Sequence, residues 1–234
     1  MPAQSTSCSS GAGLFAELRA LHGIMSRGTA LVAGSFARLA VGDHVDVAAL
    51  VSASRWLVEF IQHHHQVEDD LLWPVLRELS PRAVADLTRL TTEHEALDAE
   101  LQVLAETAGA IASARDARGN VNVMAAVGYA ALAGNPAAQK VQDILANHLA
   151  SEEPVLKELF PKIPDGEIVR LRKVMVDGAY RGGPHFVLGL MTVPEPVCGF
   201  AELRAGMPAS LRLASPLLVN RYRAVTKSLG AQDC

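Results

Sequence analysis

The chain has 234 residues, half of them hydrophobic and only 5% aromatic, which is enough to bury one large core and favours helix over sheet. A formal net charge of −4 with no long basic run argues against a polyanionic partner, so no nucleic acid is expected. Cys8, Cys198 and Cys234 are too widely spaced for a disulfide framework or a thiolate metal motif. With no signal-peptide pattern and no apolar run of membrane-spanning length, the chain reads as cytoplasmic, with no membrane span.

The opening stretch MPAQSTSCSSGA is small and polar and predicts a disordered N-terminus over 1–12. Four segments with a 3–4 apolar alternation follow. The first carries Leu18, His22, Met25, Thr29, Val32, Phe36 and Leu39 on one stripe, and Gly42 with Asp43 ends it. The second carries Leu57, Ile61, His64, Glu68, Leu71, Val75 and Leu79. Ser80 and Pro81 read as a cap and first-turn proline for the third, which carries Leu87, Thr91, His94, Asp98, Leu101 and Ala105. A long connection over 115–136 contains the breakers Gly119, Asn120, Gly134, Asn135 and Pro136. Its middle, VNVMAAVGYAALA, reads either as a short extra helix or as an N-terminal extension of the fourth. The fourth stripe carries Val141, Leu145, His148, Glu152, Val155 and Leu159. Four such seams predict an all-α fold, an antiparallel up-down four-helix bundle with a C-terminal helical extension.

Beyond Pro161, residues 165–179 predict one more helix. The stretch 181–196 is rich in Gly and Pro but apolar, so it reads as a strap that must pack on the bundle or against a second copy, which leaves an oligomer open. A last helix is expected over 208–229. Its basic residues read as the solvated face of a docked helix.

Each inner stripe contains a histidine, and two add a glutamate four residues later, His64-x3-Glu68 and His148-x3-Glu152. A spacing of four puts both side chains on one helix face, one turn apart. Residues 64–72 (HHQVEDDLL) and 148–156 (HLASEEPVL) both fit H-x3-E-[DE]-x-[LV]-L, an internal repeat that suits a site of pseudo-twofold symmetry. Four imidazoles and two carboxylates in an apolar seam need protons, partners or metal. Shared over two ions, with the glutamates bridging, they give each ion four protein donors and leave open positions. Mixed imidazole and carboxylate donors suit Fe or Mn, with Zn a substitute.

These residues resemble the hemerythrin family in its HHE cation-binding form: His22 in LHGIM, His64 and Glu68 in HHHQVEDDLLWPVL, His94 in TEHEAL, and His148 and Glu152 in HLASEEPVL. The resemblance covers about residues 14–161. It implies a bundle domain over 13–162 and a non-heme di-iron centre of two Fe ions with an oxo or hydroxo bridge; the C-terminal strap and helix over 163–234, outside the resemblance, are expected from their apolar pattern to pack on that bundle. It also implies binding of O2, NO or peroxide, or oxygen or iron sensing. Oxygen-carrying members place two histidines one turn apart on the third helix, where this chain has His94-x3-Asp98. That departure favours, as the alternative, a di-iron oxidase, peroxidase or oxygenase acting on a small substrate.

Several neighbours stay open. Asp98 is either a third carboxylate ligand or an acceptor that orients an imidazole. His63 and His65 flank His64 and must point elsewhere, with an outer role open to His65. Glu153 competes with Glu152, because Pro154 can distort the helix into a kink or π-bulge there. His185 in the strap, Tyr129 and Tyr180 are further candidates to approach the site.

Overall fold

A computed structural model describes residues 10–116, 123–177 and 182–231. It is helical throughout, with no strand among the described residues. The helices are α1 (Gly11–Ala40), α2 (Val47–Val67), α3 (Trp73–Leu79), α4 (Val84–Asp116), α5 (Val123–Leu159), α6 (Asp165–Asp177), α7 (Pro184–Thr192), α8 (Phe200–Gly206) and α9 (Ala209–Ser228). Residues 1–9 of the expected disordered segment lie outside the described residues, and Gly11 and Ala12 already belong to α1.

The helix starts follow side-chain chemistry. The Ser10 hydroxyl accepts from the Gly13 N–H, and the Asp46 carboxylate accepts from the N–H groups of Ala48 and Ala49, so orphan donors at both N-termini are satisfied. Gly42, at φ 88°, turns the chain between α1 and α2 as expected. Ser80, expected as a side-chain cap, makes no capping bond; Pro81 instead opens a short 3₁₀ turn, Pro81–Ala83, that leads into α4.

Four long helices contact one another in a closed ring: α1 packs on α2 and α5, and α4 packs on α2 and α5. Residues 123–135 turn out to extend the fourth long helix, because α5 runs through Gly134, Asn135 and Pro136. Gly134 is a close-approach residue there rather than a breaker. A Cβ at that position would lie 2.4 Å from the Thr107 methyl and 2.6 Å from the Phe36 ring. Packing overrides local propensity at this point. Gly119 and Asn120 lie outside the described residues.

The apolar strap is a helix, α7, rather than a loop. Pro184 is pre-set for its first turn, and Phe186 stacks on Trp56 with ring centroids 4.8 Å apart. Gly189 lies against the Tyr222 ring of α9, with room for no side chain. The Arg27 guanidinium donates to the carbonyls of Leu190, Val193 and Glu195 at 2.9, 3.0 and 2.7 Å, satisfying the C-terminal end of α7 from α1. Helices α6 and α9 match the expected segments; α8, on α1, was not expected.

A polar layer divides the buried apolar side chains into two clusters. One is built around Ile24, Leu57, Ile61, Leu97 and Leu145, the other around Leu18, Trp73, Leu90 and Leu156. Between them lie His22, His64, His65, Glu68, His94, His148 and Glu152, all buried.

Candidate metal centre

Each of the four ring helices brings at least one imidazole into this layer. The register on α2 is adjusted by a π-helical turn, Glu68–Leu72, directly after His64 and His65. Such a turn inserts one extra residue, so side chains beyond it rotate against the 3.6-residue pattern. Leu72 and Leu76 are therefore buried, whereas Leu71 is partly buried and Leu79 exposed. The π-turn falls at Glu68; at Glu152 none forms, and α5 continues as α-helix through Pro154.

The six residues His22, His64, Glu68, His94, His148 and Glu152 converge. Glu68 Oε1 lies 3.2 Å from His64 Nε2, and its Oε2 lies 3.5 Å from His94 Nε2. Glu152 Oε2 lies 3.5 Å from His22 Nε2 and 3.4 Å from His148 Nε2. Each glutamate thus stands between histidines of two helices. Two donor sets result, His22 with His64 and Glu68, and His65 with His94 and His148, with the ligating atoms of each set within 4.8 Å of one another.

A ring of carboxylates surrounds this core. His22 Nδ1–H donates to Glu153 at 3.1 Å, His65 Nδ1–H to Asp98 at 2.9 Å, His94 Nδ1–H to Asp69 at 3.0 Å and His148 Nδ1–H to Glu93 at 3.0 Å. Each carboxylate accepts the hydrogen bond from Nδ1–H, which fixes the proton on Nδ1 and leaves the Nε2 lone pair turned inward. Three of the four acceptors are themselves anchored. Thr91 donates to Asp69, Ser151 and Arg89 to Glu93, and Arg19 pairs with Glu153.

Electrostatics follow from the burial. Burial, then the neighbouring His22, pushes His64 well below the usual imidazole range, and burial with the histidines around it does the same to His65. Burial and the adjacent Glu152 push Glu68 well up, so without a cation the two inner carboxylates do not both ionise freely. Burial lifts Asp98 to about 6, with Asp69 adding to it.

A cation fits this donor set better than a hydrogen-bond network does. The buried Nε2 atoms of His22, His64 and His65 and both oxygens of Glu68 and Glu152 have no hydrogen-bond partner. Each buried unpaired polar group costs about 1–3 kcal/mol, so these together rival the net stability of a whole domain, about 5–15 kcal/mol. His/Glu clusters of this kind are compatible with metal binding.

The model of the hemerythrin HHE cation-binding domain matches residues 14–163. The chain belongs to this family. No curated protein and no solved structure matches it. The hemerythrin HHE match ends at residue 163, so α6 to α9 lie beyond it.

Two expectations shift within this hemerythrin domain. Asp98 leaves the inner stripe of α4, where Leu97 is buried instead; it is partly exposed and turned toward His65. Glu153 is not an alternative to Glu152 but the acceptor for His22. His185 is buried beside Phe186 and Trp56, in a separate cleft, and does not reach the layer. Tyr129 is largely exposed, and Tyr180 lies outside the described residues. Asp69 and Glu93 were not singled out as acceptors, although the acidic position of the H-x3-E-[DE] repeat, Asp69 and Glu153, carried the signal for two of the four.

Proposed function

We propose that the polar layer holds two iron ions and that the protein binds O2 or NO there, or senses oxygen or iron through that binding. The observation that carries this reading is the convergence of unpartnered buried imidazole nitrogens and carboxylate oxygens on one layer. His22, His64, His94 and His148 would hold the ions through their imidazoles, and Glu68 and Glu152 would hold them through carboxylates that each stand between the two donor sets. Residues 13–162 form the antiparallel bundle domain that frames the centre, and 163–234 form a segment packed on it.

Bound iron would supply open coordination positions and reversible one-electron chemistry toward a small ligand. The chain's own residues do the rest. Asp69, Glu93 and Glu153 hold three imidazoles with Nε2 inward, and the two apolar clusters exclude water from above and below the layer. A cleft of about 450 Å³ reaches His22 and Glu153 between α1 and α5, with Val197 and Cys198 forming one wall.

The same cleft favours a second reading, a di-iron oxidase, peroxidase or oxygenase, because it offers room for a small substrate beside the centre. Elemental analysis of purified protein is expected to give close to two irons per chain; far less, with no uptake of added ferrous iron, sinks the di-iron reading. An absorbance change on mixing the reduced protein with air that reverses on evacuation supports binding. Rapid irreversible consumption of peroxide or of an organic substrate supports the enzyme.

A further inference from the structure

We infer that His65 is a fifth imidazole ligand and that Asp98, standing one turn after His94, is the positioning residue that holds it, so the two metal positions are chemically unequal. This rests on the reading of the layer as a metal centre.

Consecutive residues on a helix point about 100° apart, so His64 and His65 cannot both follow one inner stripe. Both are nevertheless buried, His65 to 1% exposure. They enter the layer on different sides. The His64 ring meets His22 edge-on at 5.3 Å. The His65 ring lies flat against His94, centroids 4.2 Å apart and planes 7° from parallel, and meets His148 at 5.8 Å. One helix thereby serves both donor sets, and the π-turn that follows brings Glu68 between them.

The hydrogen bonding of His65 matches that of the histidines already assigned. His94 and His148 each give the Nδ1 proton to a carboxylate and face one another through Nε2 at 3.2 Å. His65 gives its Nδ1 proton to Asp98, and its Nε2 is left buried and unpartnered in the same group. A buried Nε2 without a partner, grouped with two other imidazoles whose ligating atoms lie within 4.8 Å, is an atom that a cation would satisfy. Two parallel rings at this distance cannot both carry charge without strong repulsion, whereas two neutral rings that share one cation are compatible.

The pseudo-twofold relation between the motifs isolates the feature. The residue after His64 is His65, and the residue after His148 is Leu149; the residue four beyond His94 is Asp98, and the residue four beyond His22 is Ser26. On one flank imidazole and carboxylate pair, and on the other Leu149 and Ser26 line the open cleft. The imidazole count therefore becomes three for the His65, His94 and His148 set and two for the His22 and His64 set. The aspartate at position 98 supports an imidazole supplied from the neighbouring helix.

The test counts ligands in the iron-loaded full chain. The unsubstituted reduced protein is expected to show five solvent-exchangeable, paramagnetically shifted imidazole N–H resonances. Two bound irons with only four such resonances overturn the inference and leave the di-iron reading standing; no bound metal overturns both. His65→Ala is expected to fall from two irons to about one per chain, while His63→Ala keeps two. His65→Gln, which keeps a polar group in the layer, is expected to fold with the helical circular dichroism of the parent and still lose the fifth resonance. Full iron content and an unchanged spectrum in His65→Gln also overturn it. Asp98→Ala is expected to keep four resonances unchanged, shift the one assigned to His65 and weaken iron binding about 10–100-fold, with partial rescue by Asp98→Asn. An Asp98→Ala protein with all five resonances unmoved removes Asp98 from the positioning role.

Discussion

Residues 64–72 and 148–156 share one nine-residue pattern but reach the interior by different routes. In the first, the helix opens into a π-turn at Glu68 and restarts at Trp73, with Pro74 in the first turn of the new helix. In the second, α5 continues through both Glu152 and Pro154. The outcome common to both is an inner glutamate between the donor sets, followed by an acid that holds the histidine of another helix, Asp69 for His94 and Glu153 for His22. What differs is the flank beside each histidine, where His65 stands in one motif and Leu149 in the other. A repeated pattern therefore fixes the shared frame of the centre, and unrepeated neighbours decide how its two halves differ.

The largest effect expected from breaking this comparison is on the glutamates. Glu68→Ala and Glu152→Ala are each expected to lower iron below one per chain, because each carboxylate stands between both donor sets. Elemental analysis that finds full metal in one variant and none in the other would show that only one motif supplies a bridge. A smaller effect is expected from the acids that follow them. Asp69→Ala and Glu153→Ala should each weaken iron affinity about 10–100-fold, and by similar amounts, in a competition titration with a chelator. A tenfold difference between them would break the equivalence.

The smallest effect is on protons in the metal-free protein. Burial and then His22 push His64 down from 6.5, so the folded state keeps it neutral while the unfolded chain takes up a proton near 6.5. The stability linked to His64 is therefore full above about 6.5 and falls as pH drops below it. His148 runs the other way. Burial pulls it down, but hydrogen bonds and charges from Glu152 and Glu93 outweigh this and raise it above 6.5. Its contribution is full below about 6.5 and is lost as pH rises through its folded value. A ¹⁵N NMR titration should find His148 charged and His64 neutral near pH 6.5, and the opposite order would contradict the electrostatics of both motifs.

Much of the layer was legible because four helices each repeat apolar residues at 3–4 spacing with a histidine in step. His22, His64, His94 and His148 meet where that spacing puts them, with Glu68 and Glu152 one turn on. Of the two readings of Asp98, the structure has the acceptor that orients an imidazole, that of His65, and only its place on the inner stripe of His94 fails. A helical stripe can continue from His94 at a spacing of three, to Leu97, or of four, to Asp98, and it is Leu97 that is buried in the core. The Gly and Pro content of 181–196 suggested a loop, but Phe186, Leu190 and Gly189 have surfaces on α1, α2 and α9 that reward a helix. Glu93 gave no signal of its own, since its partner His148 is 55 residues away.

The sequence by itself determined the helical class, the family and the six inner side chains, because these depend on residue type and on spacing along single helices. The tertiary structure decided which side each of two adjacent histidines enters, which carboxylate serves which imidazole, and where the one-residue slip on α2 falls. Spacing along a helix gives directions relative to its own axis at about 100° per residue. It does not give the rotation of one helix against the next, and the unequal flanks of this centre are built from that rotation.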